Sequence, residues 1–456
     1  MDKNSSNKGL SRRDFLKLGS LGFLALSGGR ALPALARQPG LARLVPGRTP
    51  LRAAQQAGTF TLRLVATDGH ILLPGRDPLY MFGFRAADPV ASIEAVTNEF
   101  KGMVQSPSPI IGVDQEDDVY LTLTNIGLTF RPDLDDSHTV HWHGFRNPVA
   151  LFDGVPEVSI AVPVSRDFPY FFKPHDPGTY IYHCHFEDTE HVQMGMTGVV
   201  FVRPAQNQTG APGAPVARLA GNSGVGVPMG YVYNDGVSVV STTSTAYDRE
   251  FTLLLNEIDN NPHDGLEAVQ EFIWSNYKPN YWVINGRAWP DTIRPNNDPY
   301  FEYSPGGLNR QPISSLIQVN SNDRVLLRIA NLGYEQHTMQ LAGIPMRVIG
   351  HDATLLRYPT TDPSGANLMY TTNHIYIGPG ECRDVIFQKT FDPSAPALTD
   401  SVGAYNRYLF LNRNLHRLTN NGTVDGATGL GGMATEVRVY SGSPLPDQLE
   451  PNETYS

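Results

Sequence analysis

Residues 182–196 read YHCHFEDTEHVQMGM, and the fourteen positions from His183 to Met196 hold one thiol and three imidazoles and close on a thioether. A trigonal set of two His and one Cys with a long axial Met is the donor combination of a blue-copper electron-transfer site. Cys184, His191 and Met196 supply three of those four ligands, so one more His is needed. HTVHWHG (138–144) lies upstream and offers His138, together with His141 and His143. Along an extended strand successive side chains face opposite ways. His183 and His185 then share one face while Cys184 takes the other. His141 and His143 also share a face, and His138, three residues earlier, points oppositely. The alternation predicts two adjacent metal sites: a thiolate site on the His138 and Cys184 side, and a His-rich site of His141, His143, His183 and His185. Six of the 13 His fall in these two clusters, which weighs against scattered structural imidazoles. Zinc competes chemically for Cys and His, but a Met ligand and alternating HxH pairs favour copper.

These motifs carry a family resemblance. HTVHWHGF (138–145), FDGVPE (152–157) and DPGTYIYHCHFEDTEHVQMGMTGVVFV (176–202) resemble the multicopper oxidases of the cupredoxin superfamily and the related copper nitrite reductases. WVINGRAWP (282–290) and IYIGPGECRDVIF (375–387) continue the likeness through the second half. The resemblance implies type 1 copper on His138, Cys184, His191 and Met196, and a type 2/type 3 centre faced by His141, His143, His183 and His185. It implies a copper-dependent oxidoreductase that passes electrons from a reductant through type 1 copper to a His-bound copper site, with dioxygen as the expected acceptor. The reductant is a small molecule such as a phenol, a metal ion such as Cu(I), Fe(II) or Mn(II), or an electron-donor protein.

The N-terminus reads as a targeting segment. SRRDFLK (11–17) is a twin-arginine signal followed by an apolar, small-residue run, and ALA at 34–36 offers a cleavage site. Residues 1–36 are therefore expected to be a signal peptide and 37–59 a basic, Ala-rich linker. The apolar run is shorter than the roughly 20 residues needed to span a bilayer, so no membrane span is expected in the mature form. Export by this route places the protein in the periplasm or outside the cell. A formal charge of −10 and the lack of a basic stripe exclude nucleic acid as a partner. Of the two cysteines, Cys184 is claimed by metal, which leaves Cys382 as a small buried thiol.

With 43 Gly, 36 Pro and few long 3.6-period segments, the chain reads as all-β. Alternating runs recur at 60–66, 118–126, 197–203, 249–258, 323–332 and 346–353, separated by turn clusters. Their spacing predicts tandem cupredoxin-like Greek-key β-sandwiches at 60–205 and 248–442. A Gly/Ala/Pro-rich linker or insertion at 206–247 separates them. A Pro/Asn-rich insertion lies near 290–312, with GGLNRQPISS read as loop, and the polar tail at 443–456 is expected to be disordered.

The second half repeats the first in outline but not in donors. His337 stands where His138 stood, while Met339, Gln340 and Ala342 follow it in place of an HxH pair. YLFLNRNLH (408–416) replaces YIYHCH, with Asn412, Arg413 and Asn414 near the ligand positions. A trinuclear oxidase centre takes eight His, and four are visible. A second subunit or partner completing the His-rich face, and hence a homo-oligomer, is one resolution. A nitrite-reductase-like type 1/type 2 enzyme is another, although His141 stands at the position of that family's catalytic Asp and Arg413 at that of its second-domain His. A non-catalytic blue-copper electron carrier or copper-binding protein is the third. The acidic segment Glu187, Asp188 and Glu190 reads as a solvated polar loop, Asp153 as a turn residue, and Trp142 as packed into the core on the His138 side.

Overall fold

In a computed structural model of the chain, the residues described are 58–147, 149–207, 230–236, 244–303, 307–357 and 367–456. The twin-arginine segment, nearly all of the 37–59 linker and most of the 206–247 insertion lie outside them. All six alternating runs are strands: 118–125 is half-buried, whereas 197–203, 249–258 and 324–331 are covered at nearly every position.

The first half builds two four-stranded sheets. One has the order β2 (Leu79–Ala87), β1 (Thr59–Ile71), β4 (Asp118–Asn125), β6 (Arg166–Phe172). The other runs β3 (Ile111–Asp114), β8 (Thr197–Arg203), β7 (Gly178–His183), β5 (His141–His143). In β4 the alternation is direct: Val119, Leu121 and Leu123 are buried while Tyr120 is exposed. One core cluster joins Leu64, Phe82, Leu121 and Phe172 of the first sheet to Trp142, Tyr182 and Val200 of the second, and Cys184 and Met196 belong to it. The two sheets therefore face each other as a sandwich, and the thiol sits inside it. Trp142 is fully buried and stacks on Phe172 at 4.1 Å, as expected of its parity.

The second half repeats the plan. A larger sheet orders β12 (Tyr281–Ile284), β11 (Arg249–Ile258), β14 (Arg324–Asn331), β20 (Cys382–Gln388), β16 (Met346–His351) and β17 (Thr354–Leu355), with β18 (Tyr370–Thr372) on β16. The other sheet orders β13 (Ile317–Asn320), β23 (Ala434–Tyr440), β22 (Ala404–Asn412), β15 (His337–Leu341) and β19 (His374–Ile377), with β21 (Leu398–Thr399) on β22. A short ribbon, β9 (Gly230–Tyr231) with β10 (Ala246–Tyr247), lies between the halves in sequence. The repeat extends to pairing direction: β1 is parallel to β4 and β11 to β14, β3 is parallel to β8 and β13 to β23. The molecule is all-β with tandem cupredoxin-like sandwiches. Three short helices complete the described elements used below: α1 (Ile93–Phe100), α2 (Asp188–Met194) and α3 (Asn260–Glu267).

The sandwiches meet through the outer face of β7 and β8. Ile181 and Val199 pack with Leu254, Ala330, Leu332 and Cys382 of the second sandwich. Beside them is a buried charged network: Arg328 donates to Glu250 at 2.5 Å and to the Thr179 hydroxyl at 3.0 Å, and Thr179 donates to Asp384 at 2.5 Å. Cys382 is unpaired and buried, so the thiol is a core side chain as read from the sequence.

The tail corrects its expectation. Instead of being disordered, its amides replace backbone partners along β11. Asn452 accepts from the Thr252 N–H at 2.8 Å and donates to the Thr252 carbonyl at 2.9 Å. Gln448 does the same for Glu250, at 2.6 and 3.1 Å. β12 pairs β11 only over Leu255–Ile258, so the tail satisfies an edge that would otherwise be open. Its polarity serves the strand rather than water. Asn452→Ala, which strips the buried Thr252 N–H of its acceptor while the Thr252 carbonyl keeps the Asn285 amide, is expected to cost roughly 1–3 kcal/mol, read as a lower denaturant midpoint with an unchanged m-value.

Candidate metal centre

β7 ends at His183, and the chain continues through Cys184 and His185 beneath β5, where His141 lies in register with His183. Tyr180 and Tyr182 of β7 join the first core while Ile181 packs on the second sandwich. The same alternation continues to the donors. Cys184 faces inward with no exposure, whereas His183 faces outward with Ile181.

On the inner face, the Nδ1 atoms of His191 and His138 lie 3.2 and 3.8 Å from Cys184 Sγ, and the two rings are 4.8 Å apart. His138, Cys184 and His191 bring their donor atoms within 4.8 Å of one another and are all buried. Met196 is fully buried in the same cluster, and its carbonyl accepts the Cys184 N–H at 3.2 Å. The Thr139 N–H points at Sγ from 3.4 Å, a donor suited to a thiolate. His138 Nε2 and His191 Nε2 are buried without hydrogen-bond partners. A soft thiolate, two imidazoles and a thioether in a dry pocket fit copper.

The segment from Glu187 onward is a helix rather than a polar loop. Asp188 and Glu190 occupy the first turn of α2, where carboxylates favour the positive helix end. The turn carries His191 inward, and Gly195 ends it at φ +113°. A Cβ there would stand 2.5 Å from Met81 Cε and 2.9 Å from the Phe82 carbonyl, so the ligand loop is pressed against β2. Asp136 was not foreseen. Its Oδ2 is 3.9 Å from His191 Nε2, and Asp136, Glu190 and His191 form the other group of donors within 4.8 Å among the described residues. The signal was available, because Asp136 sits two residues before His138 and shares its strand parity.

On the outer face, the four predicted imidazoles gather ring to ring: His141 lies 5.7, 5.4 and 5.1 Å from His143, His183 and His185, and His183 lies 5.4 Å from His185. His141 Nδ1 meets the Asp153 carbonyl at 2.6 Å and His183 Nδ1 meets the Cys184 carbonyl at 2.8 Å, which leaves each Nε2 for the shared face. Asp153 thus holds a ring as well as a turn. His143 lies against the Gly380 turn of the second sandwich.

Burial sets the protonation of both faces. It pushes His138 well below the ordinary histidine range and brings His191 down to about 4. His183 also falls to about 4, from burial first and then from repulsion by its imidazole neighbours. Burial lowers His141 and His143 as well. Neutral imidazole is the metal-binding form. Burial pushes the Cys184 thiol up to about 12, so its thiolate requires a bound cation.

At the positions of the second sandwich that match the outer-face histidines, no imidazole stands. Gln340 pairs with Leu411 in the register where His141 pairs with His183. Ala342 and Arg413 then stand for His143 and His185, and Asn412 for Cys184.

Residues 96–207 match the family model for multicopper oxidases. The chain carries a multicopper oxidase domain. Laccase 1 of Metarhizium majus is 32% identical over 108 residues, 23% of this chain and 16% of the relative. Laccase-1 of Cryptococcus neoformans is 24% identical over 282 residues, 60% of this chain and 36% of the relative. The chain thus spans only part of the length of these curated relatives. The blue copper oxidase of Nitrosomonas europaea shares the fold with a TM-score of 0.54 at 21% identity, over 85% of this chain and 86% of that one. The structure of multicopper oxidase mgLAC gives 0.54 at 19%, over 86% and 88%. Copper is the cofactor of this multicopper oxidase domain, and among the described residues no helix is long and apolar enough to cross a membrane.

The depressed histidines predict a pH response of the metal-free protein. Unfolded histidine titrates near 6.5, so below that the unfolded chain binds more protons than the folded one. Stability is therefore lost as pH falls from about 6.5 towards 4, with His183 and His191 contributing roughly 3 kcal/mol each. Chemical denaturation of chelated protein at pH 7 and pH 4.5 checks this, and copper-loaded protein is expected to respond less.

Proposed function

We propose that the protein is a copper-dependent oxidoreductase that takes single electrons from an outside reductant at the His138, Cys184, His191 and Met196 set. It delivers them to dioxygen at the face of His141, His143, His183 and His185. The observation that carries this reading is covalent. Cys184 lies in the inner set, and the residues bonded to it on either side, His183 and His185, both belong to the outer face. Bound copper would supply reversible one-electron chemistry at the first set and Lewis acidity at the second. The chain's own groups prepare both. Thr139 steadies the thiolate, Asp153 and the Cys184 carbonyl fix two rings, and the sandwich core keeps water from the sulfur.

The reductant side has a shape. A cleft of about 430 Å³ opens beside His191, lined by Arg131, Asp136, Glu187 and Glu190 and walled by Leu134, Met194, Phe272 and Trp274. Burial and like-charged neighbours raise Asp136 to about 6 and Glu190 to about 7, so both can accept a proton released by an oxidised donor. Phenols, cuprous, ferrous or manganous ions and a protein donor are the classes to assay. The twin-arginine segment supports export to the periplasm or beyond.

A second reading, a blue-copper electron carrier, is favoured by one observation: Gln340, Ala342, Leu411 and Arg413 stand where a second set of outer-face imidazoles would be. Association of several chains is the route by which the oxidase reading gains further ligands. A nitrite-reductase-like enzyme has less support, since His141 occupies its expected Asp position and Arg413 its expected His position.

Copper content with visible and electron-paramagnetic resonance spectra separates these readings. Four coppers per functional unit with oxygen uptake supports the oxidase. One type 1 copper without uptake leaves the carrier, and two with a type 2 signal points to nitrite. Cys184→Ser is expected to abolish the intense thiolate-to-copper absorption and at least 99% of turnover while the fold survives. A variant that stays blue would contradict the assignment of the thiolate.

A further inference from the structure

The second sandwich reproduces the thiolate site bond for bond with different side chains. The Cys184 N–H donates to the Met196 carbonyl at 3.2 Å, and the Asn412 N–H donates to the Met433 carbonyl at 3.0 Å. The Met196 N–H donates to the His191 carbonyl at 3.0 Å, and the Met433 N–H donates to the Arg417 carbonyl at 3.0 Å. His138 bridges to Val162 as His337 pairs with Ile377. Even the carboxylate recurs. Asp136, two residues before His138, lies 3.9 Å from His191 Nε2, and Glu335, two residues before His337, lies 3.1 Å from Arg417 Nε. In both halves an Asn amide holds that acid's carbonyl, Asn125 at 2.7 Å and Asn331 at 2.8 Å. His138, Cys184, His191 and Met196 thus correspond in position to His337, Asn412, Arg417 and Met433.

The pocket keeps part of its donor chemistry. His337 is fully buried, with Nδ1 3.2 Å from both Asn412 Nδ2 and Arg417 Nη1, and Asn412 Nδ2 is 3.4 Å from Met433 Sδ. An imidazole nitrogen and a thioether still converge. The thiolate has become a neutral amide, and the third ligand has become a guanidinium that brings its own positive charge. That charge is met by Glu335, and on the far side of the ring His337 Nε2 lies 3.3 Å from Glu257. Such an arrangement balances charge without a metal, as a thiolate and a cation would balance it in the first sandwich.

We propose that the His337 pocket is a mononuclear copper site in which the Arg417 guanidinium takes the place of the metal, and that Asn412 and Arg417 alone bar copper from it. The inference rests on copper binding at the His138 set, and unmodified protein without visible absorption would sink that reading rather than this one.

The test is Asn412→Cys with Arg417→His in the full chain. The expected result is one further copper per chain by metal analysis and an approximately twofold rise in thiolate-to-copper absorption. In the Cys184→Ser background the same pair should restore absorption that can arise only from the second sandwich. A double variant that unfolds cooperatively and keeps first-site absorption but takes up no additional copper overturns the proposal. The reciprocal exchange, Cys184→Asn with His191→Arg, guards against a misfolded double variant. It is expected to fold with an unfolding midpoint that chelator moves less than that of the unmodified protein, since only the outer-face copper is left to remove, and to be the more stable of the two once both are chelated. A reciprocal variant no more stable than chelated unmodified protein would also overturn the proposal.

Discussion

The alternation of side chains along β7 is the constraint from which the rest follows. Two donor sets of different chemistry must lie one peptide apart yet in different surroundings, and a pleated strand does this without further machinery. The inward side chain, Cys184, falls into an apolar sandwich core with Met196, where a thiol stays protonated until a cation displaces the proton. The outward ones, His183 and His185, fall at a seam closed by the second sandwich. A register slip of one residue would exchange the two environments and destroy both sites. The buried Arg328, Glu250, Asp384 and Thr179 network ties β7 to its neighbour and holds that register from outside.

Much of this was legible in the sequence because the signals were local. The spacing from His138 to His143 and from His183 to His185 encodes strand parity directly, and the grouping of four imidazoles on one face follows from it. All six apolar alternations are strands. Trp142 and Cys382 are where their surroundings in sequence placed them. What escaped notice depends on contacts between distant segments. The tail looks disordered by composition, yet Gln448 and Asn452 use their polarity as surrogate backbone. The acidic run after Cys184 looks like a solvated loop, yet its carboxylates start a helix. The counterpart of His191 is hidden because Cys184 and Met196 are twelve residues apart while Asn412 and Met433 are twenty-one apart. Only hydrogen-bond register identifies Arg417.

The two sandwiches show two ways of making one buried polar pocket stable. In the first, imidazoles are kept neutral by burial and the thiol is kept protonated, so the pocket is poised to exchange a proton for a metal ion. In the second, an arginine held between the Glu335 carboxylate and the His337 ring satisfies the same backbone frame with a permanent charge. The first pocket responds to its surroundings, and the second does not.

The α2 turn has a consequence for the electron exchange proposed above. His191 and Met196 are carried by a helix that closes on Gly195, whose close approach to Met81 and Phe82 leaves the ligand loop no slack against β2. Donors held this way shift little when the charge between them changes by one. The nuclear rearrangement that must accompany each electron transfer is then small, and transfer can be fast over distances where a softer loop would make it slow.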